Sequence, residues 1–128
     1  MRVSQQSRTQ ARERLAHDQE LADRLPELLK NVSEAEDALA AARERDAPVE
    51  ELRERGLALD TALTEAMRAA YARQRVLVGV KGYTDRIQRR KRLAHPRIKE
   101  VTQVAERLLT ARETHRLHHI QRVPQRIV

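Results

Sequence analysis

The chain has no cysteine, no tryptophan and no phenylalanine, and Tyr71 and Tyr83 are its only aromatic residues. Without Cys there is neither a disulfide framework nor a thiolate metal site, which fits an intracellular setting but does not require one. Aromatic side chains contribute the most area per buried residue. A 128-residue chain whose 40% hydrophobic content leans on Ala is therefore expected to have a thin core. Such a chain suits long helices zipped along narrow stripes, with part of its apolar area buried against other chains. No apolar run approaches the ~20 residues needed to span a bilayer. The start, MRVSQQSRTQ, has no apolar segment of the kind a secretory signal carries, so no export by a signal peptide is expected.

Signs of catalysis are missing as well. There is no P-loop, dinucleotide fingerprint or H-E-x-x-H. A thin core leaves little room for a pocket, so neither an enzyme nor a cofactor is expected. The nearest approach to a metal site is His115, His118 and His119. On a helix His115 and His119 lie one turn apart on one face, a spacing that binds Zn or Ni. A third ligand is lacking unless Glu113, His118 or another chain supplies it, and no metal site is assigned. The plainer reading is a solvated or phosphate-facing cluster that gains charge as pH falls.

What the chain has in quantity is charge. Lys and Arg number 26 against 19 Asp and Glu, for a formal net charge of +7. Only Lys30, Lys81, Lys91 and Lys99 among the basic residues are Lys. Arg presents a planar fork that matches phosphate or carboxylate oxygens, which points to a polyanionic partner. GC-rich coding or a hot habitat is the bland explanation of the same excess. The charge is also segregated: residues 1–30 carry +1, residues 31–66 carry −6 and residues 67–128 carry +12. Either an acidic segment of one subunit meets a basic segment of another, or the basic half is left for an external polyanion.

Periodicity predicts helix nearly throughout, in one all-α domain spanning 1–128. A polar arm over 1–10 leads into a stripe at Ala11, Leu15, Ala22 and Leu25, interrupted by Asp18. Pro26 bends or restarts that helix. Ser33 with Glu36 makes a capping-box pattern that opens a short helix through Ala35, Ala38, Leu39 and Ala42. Asp46, Ala47 and Pro48 form the turn into a longer helix whose seam runs Val49, Leu52, Gly56, Leu59, Leu63, Ala66, Ala70 and Leu77. The region 11–78 thus reads as a helical hairpin. Val76 to Tyr83 breaks the pattern with a turn around Gly79 to Gly82. Thr84 or Asp85 then caps basic C-terminal helices over 84–120, bent at His95 and Pro96. The last helix is expected to bury Ile98, Val101, Ala105, Leu108, Leu117 and Ile120, before a tail at 121–128. Val49, Leu52, Leu59, Leu63, Leu77, Ile98, Val101 and Leu108 are the candidate subunit-packing residues.

The run DRIQRRKRLAHPRIKE, Asp85 to Glu100, is the most basic stretch. At about 100° per residue, Arg86, Arg89 and Arg90 cover one side, Lys91 and Arg92 spread round the rest, and only Ile87 and Ala94 share a narrow apolar line. Such a helix is solvated, paired with carboxylates, or laid against a polyanion. Proteins that hold single strands stack bases on aromatic side chains, which this chain almost lacks, so a duplex gripped through its phosphates is favoured. No helix-turn-helix pattern is present, and sequence readout is not expected. The candidate phosphate contacts are Arg2, Arg8, Arg12 and Arg14 of the arm with Arg86, Arg89, Arg90, Lys91, Arg92, Arg97 and Lys99.

In size, charge, helical content and layout the whole chain resembles the helical coat proteins that wrap DNA in filamentous archaeal viruses, though no motif carries the likeness. The resemblance implies a virion subunit working by self-association or with a second similar coat protein on double-stranded DNA. It carries over no site residue. The other reading is an α-helical adaptor or assembly subunit of an intracellular machine, of the phage connector or secretion stalk type. There Arg89 to Arg92 would meet acidic residues such as Glu34, Glu36, Asp37, Glu50 and Glu51 of a neighbour.

Overall fold

The computed structural model describes residues 4–120, with side chains as far as residue 118. Arg2, the side chains of His119 and Ile120, and the tail at 121–128 lie outside the described residues. The described chain is all-α: α1 (Gln5–Asp23), α2 (Leu25–Glu44), α3 (Val49–Val78), a 3-10 turn (Val80–Tyr83), α4 (Arg86–Leu93) and α5 (Pro96–His115), closed by one π-helical turn (Arg116–Ile120). No helix among the described residues is long and apolar enough to cross a membrane.

The punctuation has local causes. Pro26 has no N–H to give to the Ala22 carbonyl, so α1 stops and α2 restarts around Arg24, whose own N–H turns back to Leu21 (3.1 Å). α2 ends in a Schellman motif: Ala47 N–H reaches the Ala42 carbonyl (3.0 Å) and Asp46 N–H that of Arg43 (3.1 Å), with Asp46 at φ 51°. Asp tolerates this left-handed position better than most residues. α3 ends at Gly79, whose φ of 100° and ψ of 174° fall where only glycine is at ease.

Two sequence expectations give way here. The polar arm is no arm from residue 5 onward: Ser4 caps α1, its Oγ accepting from Ser7 N–H at 3.0 Å, and the helix continues straight into the apolar stripe. Ser33 opens no helix either, because Leu28, Val32 and Leu39 form one buried stripe that carries α2 through it.

α3, 30 residues and about 45 Å long, is the spine. α1 and α2, laid end to end, run antiparallel along it, and α5 returns antiparallel on another side. Gln74 meets Thr102 (2.7 Å), Arg112 meets Thr64 (2.8 Å) and Arg116 meets Asp60 (2.6 and 3.1 Å). The core is thin, as expected: Leu25, Leu28, Val32, Leu39, Leu59 and Leu63 pack around Ala62, Ala66, Ala69, Ala70 and Ala105. The alanines let helices approach closely; with Gly56 they also admit His115, whose Nε2–H donates to the Gly56 carbonyl at 2.7 Å.

The seam therefore closes within the chain, and several residues expected at subunit contacts are core. Leu59, Leu63 and Ile98 are buried, and Leu52, Leu77, Val101 and Leu108 are half-buried in the bundle. Val49 is 69% exposed, and Leu117, expected inside, is 68% exposed because the chain has by then turned from α5 into the π-helical turn. Among the described residues an apolar groove stays open. Between α2 and α5 a groove of about 590 Å³ runs over Leu59 and Leu63, walled by Val32, Leu39, Leu108 and Ala111 and edged by Glu36 and Arg107.

Candidate nucleic-acid interface

The basic run is α4, a short helix standing on the end of the bundle with no buried residue. Its charge makes this unavoidable, as a helix ringed by guanidinium groups has no apolar face to bury. Three local features hold it there. Asp85 Oδ1 accepts the Ile87 and Gln88 N–H groups (3.0 and 3.1 Å), Arg92 Nη2 donates to the Leu77 carbonyl at the end of α3 (3.2 Å), and Leu93 is half-buried. Gly82 permits the close approach, since a Cβ there would sit 2.5 Å from Val78 Cγ1.

Beneath α4 lies a polar cluster that sequence inspection did not assemble. Asp18, 7% exposed on the inner face of α1, accepts from Arg75 Nε (2.8 Å) and Nη2 (3.1 Å) of α3 and from the Tyr83 hydroxyl of the 3-10 turn. Burial pushes the Asp18 carboxyl up, but the hydrogen bonds of Arg75 and Tyr83, with the charges of Arg75 and His17, outweigh it and hold the group below the usual carboxylate range. The same burial and carboxylate push the Tyr83 phenol well above its ordinary value. The guanidinium of Arg14 lies 5.1 Å from the centroid of the Tyr83 ring, a cation–π contact. A signal for this cluster was present: Asp18 interrupts an apolar stripe, and a carboxylate on a buried face calls for a partner.

The expected phosphate-contacting residues are brought together only in part. Arg14 of α1, Arg75 of α3 and Arg89 of α4 line one cavity of about 100 Å³ with Tyr83 and Leu93. Next to it, Ser4, Ser7, Gln10, Arg14, Tyr83 and Thr84 line an open concavity of about 480 Å³, so polar residues of the expected arm do meet the start of the basic segment. Arg86, Arg90 and Lys91 are exposed on α4 and line neither, Lys91 lying on the flank away from Arg89. Arg8 and Arg12 project from the other flank of α1, about 120° to 160° round its axis from Arg14. Arg92 is engaged by the end of α3. Arg97 and Lys99 are exposed, but on opposite flanks of α5.

His115 and His118 do not converge. His115 is buried against Gly56, while His118 is exposed in the turn beyond α5. Among the described residues no group of three His, Cys, Asp or Glu side chains is placed to hold a metal ion. The acidic stretch runs from the middle of α2 through the turn into α3, and its turn lies at the end of the bundle away from α4. Glu34, Glu36 and Asp37 are exposed midway along α2 and Glu50 at the start of α3, whereas Glu51 pairs with Arg45.

Comparison with protein families, curated proteins and solved structures finds no match to this chain.

Proposed function

We propose that the chain is a structural protein that packages double-stranded nucleic acid, as a helical coat or nucleoprotein subunit gripping backbone phosphates without reading sequence. The observation that carries this reading is the meeting of Arg14 with Arg89: a residue of the N-terminal helix and one of the basic run face a single cavity, amid the exposed cations of α4. Guanidinium forks on a rigid bundle end suit phosphate oxygens. The aromatics favour a duplex over a single strand, because Tyr71 is half-buried against the core and Tyr83 lies under Arg14, leaving no stacking platform. The open groove between α2 and α5 is apolar surface suited to a neighbouring subunit. The likeness in size and charge to DNA-wrapping coat proteins of filamentous archaeal viruses agrees with this reading, and with a virion as its setting.

Duplex binding across a salt series tests it. Phosphate contact predicts a steep loss of affinity with salt, independent of DNA sequence, with the slope falling by roughly one for each contacting Arg removed. Protein that fails to bind duplex at low salt while still assembling with a protein partner would sink the proposal.

A second reading has one observation in its favour: the exposed acids of the α2–α3 turn and the cations of α4 occupy opposite ends of the bundle, as a head-to-tail adaptor would require. Exposed ion pairs contribute little, so apolar packing would have to carry that assembly. Charge reversal at Arg89 and Arg90 rescued by reversal at Glu50 would support it. Glu51 is a poorer choice than Glu50, being paired already within the chain.

A further inference from the structure

We propose that the cavity between α1, α3 and α4 is a phosphate-anchoring site that takes one tetrahedral oxyanion, held by Arg14, Arg75 and Arg89. That the oxyanion belongs to a duplex backbone rests on the function proposed above; that the cavity takes an oxyanion does not. At about 100 Å³ the cavity holds several times the volume a single water needs, which is room for one phosphate group. Three guanidinium groups and no carboxylate line it, and Asp18, which pairs with Arg75, is itself engaged by Arg75 and Tyr83. The local charge is therefore positive, and the cation forks match phosphate oxygens.

Two of the three arginines are oriented before any ligand arrives. Arg75 gives its Nε and Nη2 edge to Asp18, which fixes the plane of the guanidinium and leaves Nη1 on the side away from the carboxylate. Arg14 is laid over the Tyr83 ring, whose hydroxyl is bound to the same Asp18. Asp18 is thus a positioning residue for both. Arg89 comes from α4, which is otherwise lightly attached, so an oxyanion bridging Arg89 to Arg14 and Arg75 ties α4 to the bundle. Ligand binding and the docking of α4 are then coupled, since a ligand that needs all three elements stabilises the state in which they meet.

Two measurements test this on the intact protein. In the first, inorganic phosphate replaces chloride at equal ionic strength and the melting temperature is followed. Wild type is expected to gain stability with phosphate, and Arg14→Gln and Arg89→Gln to lose that gain. Both side chains are exposed, so neither variant should disturb the core. In the second, a short duplex is titrated at low salt. Each single variant is expected to weaken binding about tenfold, and the double variant about tenfold too, because both act on one phosphate. Arg90→Gln, at an exposed residue of α4 that does not line the cavity, should instead add its effect to that of Arg14→Gln. No phosphate stabilisation, together with duplex losses that simply add for Arg14 and Arg89, would overturn the site and leave the packaging proposal standing. Phosphate stabilisation abolished by Arg14→Gln, in protein that binds no duplex, would support the site and overturn the packaging proposal.

Discussion

Asp18 and Arg75 form a side-on pair, Nε at 2.8 Å and Nη2 at 3.1 Å, that joins the first helix to the last turns of the third beneath the basic helix. The carboxylate is buried while the guanidinium is 41% exposed, so the pair is anchored on the protein side and screened on the other. Its energetic weight comes from what its loss would leave behind: a buried carboxylate without a donor, or a Tyr83 hydroxyl without an acceptor.

Asp18→Asn should therefore destabilise the bundle by about 2 kcal/mol at neutral pH, a figure lowered for the exposure of Arg75. The sign of the pH effect follows from the depressed carboxyl. The unfolded chain binds the proton first, so the stabilisation is complete above the ordinary aspartate value of about 3.9 and is lost as pH falls through the lower folded value. Asp60, held down by its hydrogen bonds with Arg116 against the opposing effect of burial, contributes in the same direction. Urea unfolding from pH 7 down to pH 2 should show a steeper acid loss in wild type than in Asp18→Asn. Equal slopes would mean that the pair carries no such linkage.

The glycines of the turn set where α4 stands. Gly79→Ala must hold φ near 100° with a side chain, at a cost of about 1–3 kcal/mol. Gly82→Ala brings a Cβ to 2.5 Å from Val78 Cγ1 and should shift the 3-10 turn rather than unfold the bundle. Amide exchange is the measurement that separates them from a general loss of stability. Protection in α4 should fall for Gly82→Ala while that of α3 near Ala66 is kept.

The alanine-lined interior is expected to be sensitive to volume and the outer end of the seam indifferent. Leu63→Ala should cost about 2–5 kcal/mol and Ala66→Leu about 1–3, the first by opening a cavity and the second by forcing the helices apart. Val49→Ala, at an exposed position, should fall within about 0.5 kcal/mol of wild type. Denaturant midpoints of the three variants check the ranking. A large effect at Val49 would place it at a contact between copies after all.

The helices were legible because their spacing and punctuation are local. Pro26, Pro48, Gly79 and the His95–Pro96 step each mark a boundary for a reason that involves only neighbouring residues. The start of α1 was not legible: Gln5 to Gln10 has no apolar period, and only Ser4 as a cap signals the helix. Nor does a heptad-like seam say which helix will cover it, so Leu59 and Leu63 read equally well as interface or core. Each basic residue was visible in the sequence. Their grouping was not, because it depends on α1 and α4 reaching the same end of α3. Asp18 was the clue, as a charge on an apolar stripe identifies a buried partnership without naming the partner.

Arg90 and Arg92, two residues apart in the basic run, should separate binding from stability. Arg92 reaches back to the Leu77 carbonyl, one of the orphan acceptors at the C-terminal end of α3, where a cation also meets the favourable end of the helix dipole. Arg92→Gln should thus lower stability by about 0.5–1 kcal/mol and change the salt dependence of duplex binding little. Arg90 is exposed and has a whole fork to offer. Arg90→Gln should leave the unfolding midpoint within about 0.5 kcal/mol of wild type while reducing the salt slope by roughly one. If both variants changed the salt slope alike with stability untouched, α4 would be acting as an undifferentiated cloud of charge, and the bond from Arg92 to α3 would not persist in solution.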